Sequence, residues 1–150
     1  MDRTISSAAA ISTTTNIGFL LAKASQRFNE VLAARFADRG FPDVRASYGS
    51  VLVPLFERDG LRLGELAAMS RLSKQAMTGL VKRCEQDGLV VRERDVDDGR
   101  AFRVTLSARG RRFQAVADDV LRELDEELMR SLGTRKHDAL SEALKGVIDL

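Results

Sequence analysis

The chain has 150 residues, of which 44% are hydrophobic and 31% are charged, and its formal net charge is +2. This composition suits one domain with a buried core and a charged surface, which excludes a largely disordered chain. Its single cysteine excludes an internal disulfide and a cysteine-based metal cluster, and it favours a reducing compartment such as the cytoplasm. No stretch approaches the roughly 18 consecutive apolar residues of a membrane span, so we expect a soluble protein without a membrane partner.

The charge is distributed unevenly along the chain. Residues 61–112 carry 12 basic and 7 acidic side chains, whereas residues 113–150 carry 5 and 9. A basic central segment attracts phosphate, and an acidic C-terminal segment repels it, so this distribution favours a nucleic-acid partner for the centre of the chain. Chance clustering of charge on a solvated surface remains the alternative.

Residues 1–15 are rich in Ala, Ser and Thr, and we expect them to form a flexible arm. Apolar residues then recur at three- and four-residue steps from residue 16 to 38, which predicts a long amphipathic helix. Asp43 is positioned to cap a second helix, in which Pro54 predicts a kink or an early end because it lacks a backbone N–H.

A helix-turn-helix pattern follows. Leu63–Met69 predicts a short helix, residues 70–72 form the turn, and Ser73 caps a second helix that runs to about residue 87. One side of this second helix is apolar. The opposite side carries polar residues that suit phosphates and base edges, as a helix in a DNA major groove requires: Ser73, Lys74, Gln75, Thr78 and Lys82. The alternative interpretation is an ordinary polar helix face.

A β-hairpin completes this central unit. Gly88 ends the helix, residues 89–94 and 102–106 predict two strands, and the polar loop between them is the tip of a wing. Arg100 at the tip is a candidate for a minor groove or a phosphate, and Asp97 or Asp98 is a candidate for holding an arginine in position. Arg94 is placed with these aspartates as wing support. A hairpin with solvated charges needs no such function.

The C-terminal part predicts two further helices, one beginning at Ser107 and one after Gly133. The last helix is too short to be stable alone, so its apolar side must be buried. Because the terminal helices have more apolar surface than the central unit needs, we expect a twofold homodimer, with packing within one subunit as the alternative. The predicted organisation is a helical dimerisation region of residues 16–60 and 107–150 around a winged helix-turn-helix region of residues 61–106. The predicted fold is mainly α with a small β wing.

Four spaced motifs resemble those of the MarR-type (multiple antibiotic resistance regulator) winged-helix transcription factors. They are Leu63-Gly64-Glu65-Leu66-Ala67, Leu72-Ser73-Lys74-Gln75, Gly88-Leu89-Val90, and Asp98-x-Arg100-x-x-x-Val104-x-Leu106-Ser107. The resemblance implies a cytoplasmic, nucleoid-associated bacterial or archaeal homodimer that binds an inverted-repeat operator and releases it when a small anionic or aromatic effector binds. It further implies that the positions of the polar helix face meet the major groove and that Arg100 reaches the minor groove. Arg62 departs from the pattern, because a Ser or Thr cap usually stands there.

Nothing in the sequence predicts an enzyme, a metal site or a cofactor. His137 is a minor candidate for a ligand or switch, and Cys84 for a redox sensor, although a buried thiol is the simpler interpretation. The aromatic residues Phe19, Phe28, Tyr48 and Phe56 are candidates for lining an effector site, although core packing is the simpler interpretation for all four. The sequence therefore predicts a sequence-specific transcriptional regulator, with a winged-helix protein-interaction module that does not bind DNA as the alternative.

Overall fold

The structure is a computed structural model that describes residues 12–150. The predicted arm therefore lies largely outside the described residues, since only residues 12–15 are described and residues 13–15 form a turn. Within residues 12–150, no helix is long and apolar enough to span a membrane. Contacts divide the chain into two units, one ending at Val31 and the other running from Leu32 to Leu150.

Six α-helices and three strands make up the described residues. In chain order they are α1 (Ile17–Asp38), α2 (Gly49–Glu57), β1 (Leu61–Arg62), α3 (Leu63–Met69), α4 (Lys74–Gln86), β2 (Val90–Arg94), β3 (Phe102–Leu106), α5 (Ala108–Leu132) and α6 (Thr134–Ile148). A short 3-10 helix, Ala46–Tyr48, leads directly into α2. The helix-turn-helix, the hairpin and the two C-terminal helices stand where the sequence predicts them.

The unit that ends at Val31 contains the beginning of α1. The Asn16 side chain accepts a hydrogen bond from the backbone N–H of Gly18 at 2.8 Å, which satisfies one of the free donors at this helix end. Phe19 and Phe28 both lie on this part of the helix and remain more than a third exposed.

The core of the unit from Leu32 to Leu150 forms between α2, α3, α4, the sheet and the first half of α5. Its fully buried side chains include Val51, Leu52, Leu55, Leu66, Met77, Val81, Leu89, Val90, Val104 and Val120. Phe113 of α5 makes edge-to-face contacts with Phe36 and Phe41, whose ring centroids lie 4.8 Å and 5.2 Å from its own. These contacts fix α5 against the end of α1 and the loop that follows it.

The sheet is antiparallel with the strand order β1-β3-β2, so β3 is its central strand. Val90 pairs with Leu106 and Arg94 with Phe102, which confirms the predicted hairpin. The strand β1 was not predicted. Leu61 pairs with Val104, and through this pairing the residue that precedes α3 becomes part of the wing sheet.

Two local predictions about the second helix are wrong. Asp43 does not cap it, because its carboxylate pairs with the Arg109 guanidinium at 3.1 Å and the chain turns through the 3-10 helix first. Of the two outcomes predicted at Pro54, the early end is wrong, because the helix continues to Glu57, and the kink stays a prediction. A proline at this position leaves the Ser50 carbonyl without its helical N–H donor, and the Ser70 hydroxyl donates to that carbonyl at 2.7 Å instead.

Two side chains are also more exposed than their apolar patterns predict. Ala76 of α4 is exposed, and Phe102 of β3 is 45% exposed. Phe102 lies at the end of the hairpin, beyond the core, where the Arg94 guanidinium carbon is 5.8 Å from the centre of its ring.

Candidate nucleic-acid interface

The helix α4 begins at a formed N-cap. Ser73 has an extended backbone, and its hydroxyl accepts a hydrogen bond from the backbone N–H of Ala76 at 3.1 Å, as predicted. The opposite end stops at Gly88, which adopts φ +73°, a conformation that favours glycine. Ser73 and Gly88, which the sequence predicts as the two ends of this helix, therefore set its length.

The two sides of α4 separate as their spacing predicts. Met77, Leu80, Val81 and Cys84 are buried against the core. Lys74, Gln75, Thr78 and Lys82 are exposed. The Thr78 hydroxyl donates to the Lys74 carbonyl at 2.7 Å, so its oxygen faces solvent mainly as an acceptor. The exposed side thus offers two ammonium groups, an amide that both donates and accepts, and a hydroxyl oxygen.

The wing tip is ordered by its own polar groups. The Arg94 guanidinium donates to the Gly99 carbonyl at 3.1 Å, and the Asp98 carboxylate accepts from the backbone N–H of Arg100 at 3.1 Å. Among residues 12–150, no carboxylate lies within 4.0 Å of the Arg100 guanidinium. The tip therefore presents an uncompensated positive charge on an ordered loop.

The aspartate that holds arginines in the wing is Asp95, and sequence reasoning missed it. Its side chain is 1% exposed and its Oδ2 atom lies 2.6 Å from Arg62 and 3.2 Å from Arg103. Its Oδ1 atom accepts from the backbone N–H of Asp97 at 2.9 Å. That backbone hydrogen bond, followed by the hydrogen bond from Arg62, lowers the pKa of the Asp95 carboxyl below its ordinary value. The expectation that the Asp97 or Asp98 carboxylate grips an arginine side chain is wrong, since among residues 12–150 neither carboxylate pairs with an arginine side chain. Asp97 contributes its backbone N–H, and the Asp98 carboxylate accepts from the Arg100 backbone N–H.

Arg62 connects this cluster to the helix-turn-helix. It precedes α3, and its backbone N–H donates to the Glu65 carboxylate at 3.1 Å, which completes one half of a capping arrangement. A guanidinium has no acceptor atom, so the Arg62 side chain cannot accept a hydrogen bond from the first turn of α3, and it donates to Asp95 instead. The departure of Arg62 from the expected Ser or Thr was the one signal in the sequence that pointed to this contact.

A cavity of about 460 Å³ lies between the helix-turn-helix and the wing. Lys74 and Thr78 of α4 line one side of it, and Arg100 and Phe102 line the wing side, while Arg62 contributes from β1. The structure therefore brings three predicted site residues, Lys74, Thr78 and Arg100, to one concave surface. Gln75 and Lys82 of the same helix, and Ser73 at its N-cap, lie outside this lining.

The four aromatic candidates for an effector site divide between the two units. In the unit from Leu32 to Leu150, Tyr48 is buried and its hydroxyl donates to Asp87, the residue that ends α4. Burial, together with this hydrogen bond, raises the pKa of Tyr48 to about 12. Phe56 is half-buried, with its ring 6.2 Å from that of Phe113. With Phe19 and Phe28 on the first part of α1, a shared effector site stays a prediction.

The surroundings of Cys84 and His137, the minor candidates for a redox sensor and for a ligand or switch, indicate structural roles. Burial raises the pKa of the Cys84 thiol to about 12, which removes the thiolate needed for reaction at neutral pH. The His137 ring bonds Asp125 of α5 at 2.8 Å and Asp138 of α6 at 3.1 Å, and these hydrogen bonds raise the pKa of the imidazole. Over residues 12–150, no group of three or more His, Cys, Asp or Glu side chains is arranged to hold a metal ion.

Residues 55–101 match the model of the MarR family, and this range covers the end of α2, the helix-turn-helix and most of the wing. The HTH-type transcriptional repressor Rv2887 of Mycobacterium tuberculosis is 35% identical to this chain over 78 residues, which are 52% of this chain and 56% of the repressor. The match thus spans about half the length of the curated relatives.

Solved structures extend the likeness to most of the chain. A probable transcriptional regulator from Pseudomonas aeruginosa is 26% identical with a TM-score of 0.75, covering 88% of this chain and 96% of its own. The Rv2887 protein in complex with salicylic acid is 26% identical with a TM-score of 0.63 over the same shares. The repressor CouR bound to a 23-mer DNA duplex shares the fold, with 24% identity, a TM-score of 0.77, and coverage of 90% and 94%. The central segment of the chain, residues 55–101, is thus similar to the MarR family, and the chain shares the winged helix-turn-helix fold of these solved regulators.

Proposed function

We propose that this protein is a transcriptional repressor that binds an inverted-repeat DNA operator as a homodimer and responds to a small ligand. The observation that carries the proposal is the convergence of Lys74 and Thr78 of α4 with Arg100 of the wing on one concave surface. A recognition helix in the major groove and a basic wing beside it require that arrangement.

The pairing of charges supports the same surface. Lys74, Lys82 and Arg100 have no carboxylate within 4.0 Å among residues 12–150. Several arginines elsewhere are paired with carboxylates, as in Arg35–Glu127 and Arg39–Glu123, which join the C-terminal end of α1 and the residue after it to α5 at 2.7 Å. Cations that are left without a partner on one face are available to phosphates, and each phosphate contact releases counterions from DNA.

The apolar surface of the terminal helices supports a dimer. No residue of α6 is buried, although Leu140, Leu144, Val147 and Ile148 repeat at helical spacing and are 37% to 67% exposed. On α5, Leu121 and Leu128 are also about 40% exposed. A second copy of the chain would cover these side chains through residues 16–60 and 107–150, and a twofold axis would place the two recognition helices about 34 Å apart.

The relatives support the regulatory part of the proposal. Rv2887 is described as a repressor, and its structure holds salicylic acid, an aromatic anion. In this chain the Tyr48 hydroxyl donates to Asp87 at the end of α4. A ligand that displaced Tyr48 would therefore remove a contact that holds the recognition helix. Salicylate is the first probe: we expect it to weaken binding to the selected duplex and to weaken it less when Tyr48→Phe has already removed the hydroxyl.

The test of the function uses duplexes that the protein selects from a random pool. Gln75→Ala should weaken binding to the selected duplex by about 1–3 kcal/mol and leave binding to random duplex nearly unchanged, because an amide reads base edges. Lys82→Ala is the matched control from the same exposed face, and it should weaken both duplexes equally, because an ammonium group contacts phosphate. Wild-type protein that selects no sequence would refute the regulator and favour a winged-helix module that binds another protein.

A further inference from the structure

Arg71 has the least favourable backbone conformation of the helix-turn-helix. It lies in the turn between α3 and α4 with φ +52°, and it is the only non-glycine residue with positive φ among residues 12–150. This left-handed region disfavours any residue with a Cβ atom, and glycine adopts it without strain. The turn therefore holds an arginine where glycine would be more stable.

The neighbours of Arg71 fix this conformation. The Ser70 N–H donates to the Leu66 carbonyl at 3.0 Å, and the Leu72 N–H donates to the Ala67 carbonyl at 3.0 Å. The Ser70 hydroxyl is held by the Ser50 carbonyl, which is left without a helical donor by Pro54. Because both flanking residues are bonded, the backbone of Arg71 does not relax, and the turn imposes the strain on whichever residue stands there.

The Arg71 side chain does not compensate for this strain within the protein. It is exposed, and among the described residues no carboxylate lies within 4.0 Å of its guanidinium and no hydrogen-bond partner is found for it. It stands two residues before Ser73 and three before Lys74, at the start of the helix whose exposed face carries the predicted base-reading side chains. An unpaired guanidinium there lies where the DNA backbone borders a major-groove helix.

We infer that Arg71 is a DNA-contacting residue that binds a backbone phosphate at the edge of the groove entered by α4, an inference that rests on the proposed function. A guanidinium donates two parallel hydrogen bonds to a phosphate, and the contact carries no sequence information. Arg71 thus contributes affinity and fixes the position of the helix, while Gln75 and Thr78 distinguish bases.

The test compares Arg71→Asn, Arg71→Lys and the control Arg112→Asn on selected and random duplexes over a range of salt. Arg112 is an exposed arginine of α5 without a carboxylate partner in the described part of the chain, so its replacement removes one charge outside the helix-turn-helix. For Arg71→Asn we expect equal fold-losses on both duplexes and a salt slope that is smaller by about 0.9 per protomer. Arg71→Lys should keep most of the slope, because the charge remains.

Unfolding by urea separates this role from a structural one. Asn tolerates the left-handed region, so Arg71→Asn should unfold at the same urea concentration as wild type or at a higher one while it binds DNA less tightly. An unchanged salt slope in Arg71→Asn, or a loss no larger than that of Arg112→Asn, would overturn the inference. If Lys82→Ala and Gln75→Ala still behave as proposed, that result refutes the role of Arg71 alone. If wild type shows no sequence preference, the proposed function itself fails.

Discussion

Gly110 lies closer to a neighbouring backbone than any other glycine among residues 12–150, and its replacement by alanine gives a sharp prediction. A Cβ atom at this position of α5 would lie 2.1 Å from the Leu89 carbonyl oxygen and 3.3 Å from a Leu106 methyl carbon. The oxygen is part of the backbone and accepts the Ser107 N–H at 3.0 Å, so it has no flexible end to move aside. α5 must therefore shift by about 1 Å, and both this hydrogen bond and the packing of Phe113 behind it would be disturbed.

The expected change in the free energy of unfolding of Gly110→Ala is the balance of three contributions. Overpacking costs about 1–3 kcal/mol and a strained hydrogen bond about 1 kcal/mol, while alanine gains about 1 kcal/mol over glycine inside a helix. Gly110→Ala should thus lower the free energy of unfolding by about 1–3 kcal/mol, measured by urea denaturation at one fixed protomer concentration.

The control is Gly79→Ala in the middle of α4, where the nearest atom to the new Cβ is the end of the flexible Arg83 side chain at 3.9 Å. With no clash, the helix propensity alone remains, and this variant should be about 1 kcal/mol more stable than wild type. Both substitutions replace glycine by alanine, and they are expected to change the free energy of unfolding in opposite directions. If Gly110→Ala unfolds at the same urea concentration as wild type or above it, the inferred contact between α5 and Leu89 is refuted.

Three further predictions concern the titratable groups. Asp95→Asn should leave Arg62 and Arg103 without their anion, so it should speed hydrogen exchange in the wing and weaken DNA binding. Because the pKa of Asp95 is lowered in the folded protein, the stability that its carboxylate contributes should be present above about pH 3.8 and lost as the pH falls through the folded pKa. The His137 pKa is raised, so the stability that the imidazolium contributes to the α5–α6 contact should be complete below about pH 6.5 and lost as the pH rises through the folded pKa. His137→Gln should remove this pH dependence of the free energy of unfolding. Cys84 should react with a thiol reagent at neutral pH only at the rate of unfolding, and rapid labelling of native protein would contradict its burial.

Much of the fold follows from local patterns. The apolar spacing of α4 and α5 is regular, and Ser73, Gly88, Ser107 and Gly133 mark helix ends by their own chemistry, so these elements are readable without tertiary information. The exposed polar face of α4 is readable for the same reason. Its hydrophobic side faces the core, and the opposite side must then face solvent.

The features that the sequence did not predict depend on residues far apart in the chain. The two-residue strand β1 has no periodicity of its own and exists because Leu61 pairs with Val104. Asp95 resembles Asp97 and Asp98 in the printed sequence, and only the approach of Arg62 and Arg103 distinguishes it. The continuation of α2 past Pro54 likewise depends on the hydroxyl of Ser70, which lies in the turn between α3 and α4. In each case the deciding partner lies outside the window that a local pattern covers.

The central claim is that α4 reads a DNA sequence while the wing and the turn hold the backbone. The most direct measurement is the ratio of dissociation constants for a duplex selected from a random pool and for its scrambled counterpart, determined by fluorescence anisotropy at one physiological salt concentration. We predict a selected sequence with inverted symmetry, bound at least about 10³-fold more tightly than the scrambled duplex. Equal dissociation constants for the two duplexes would contradict the claim.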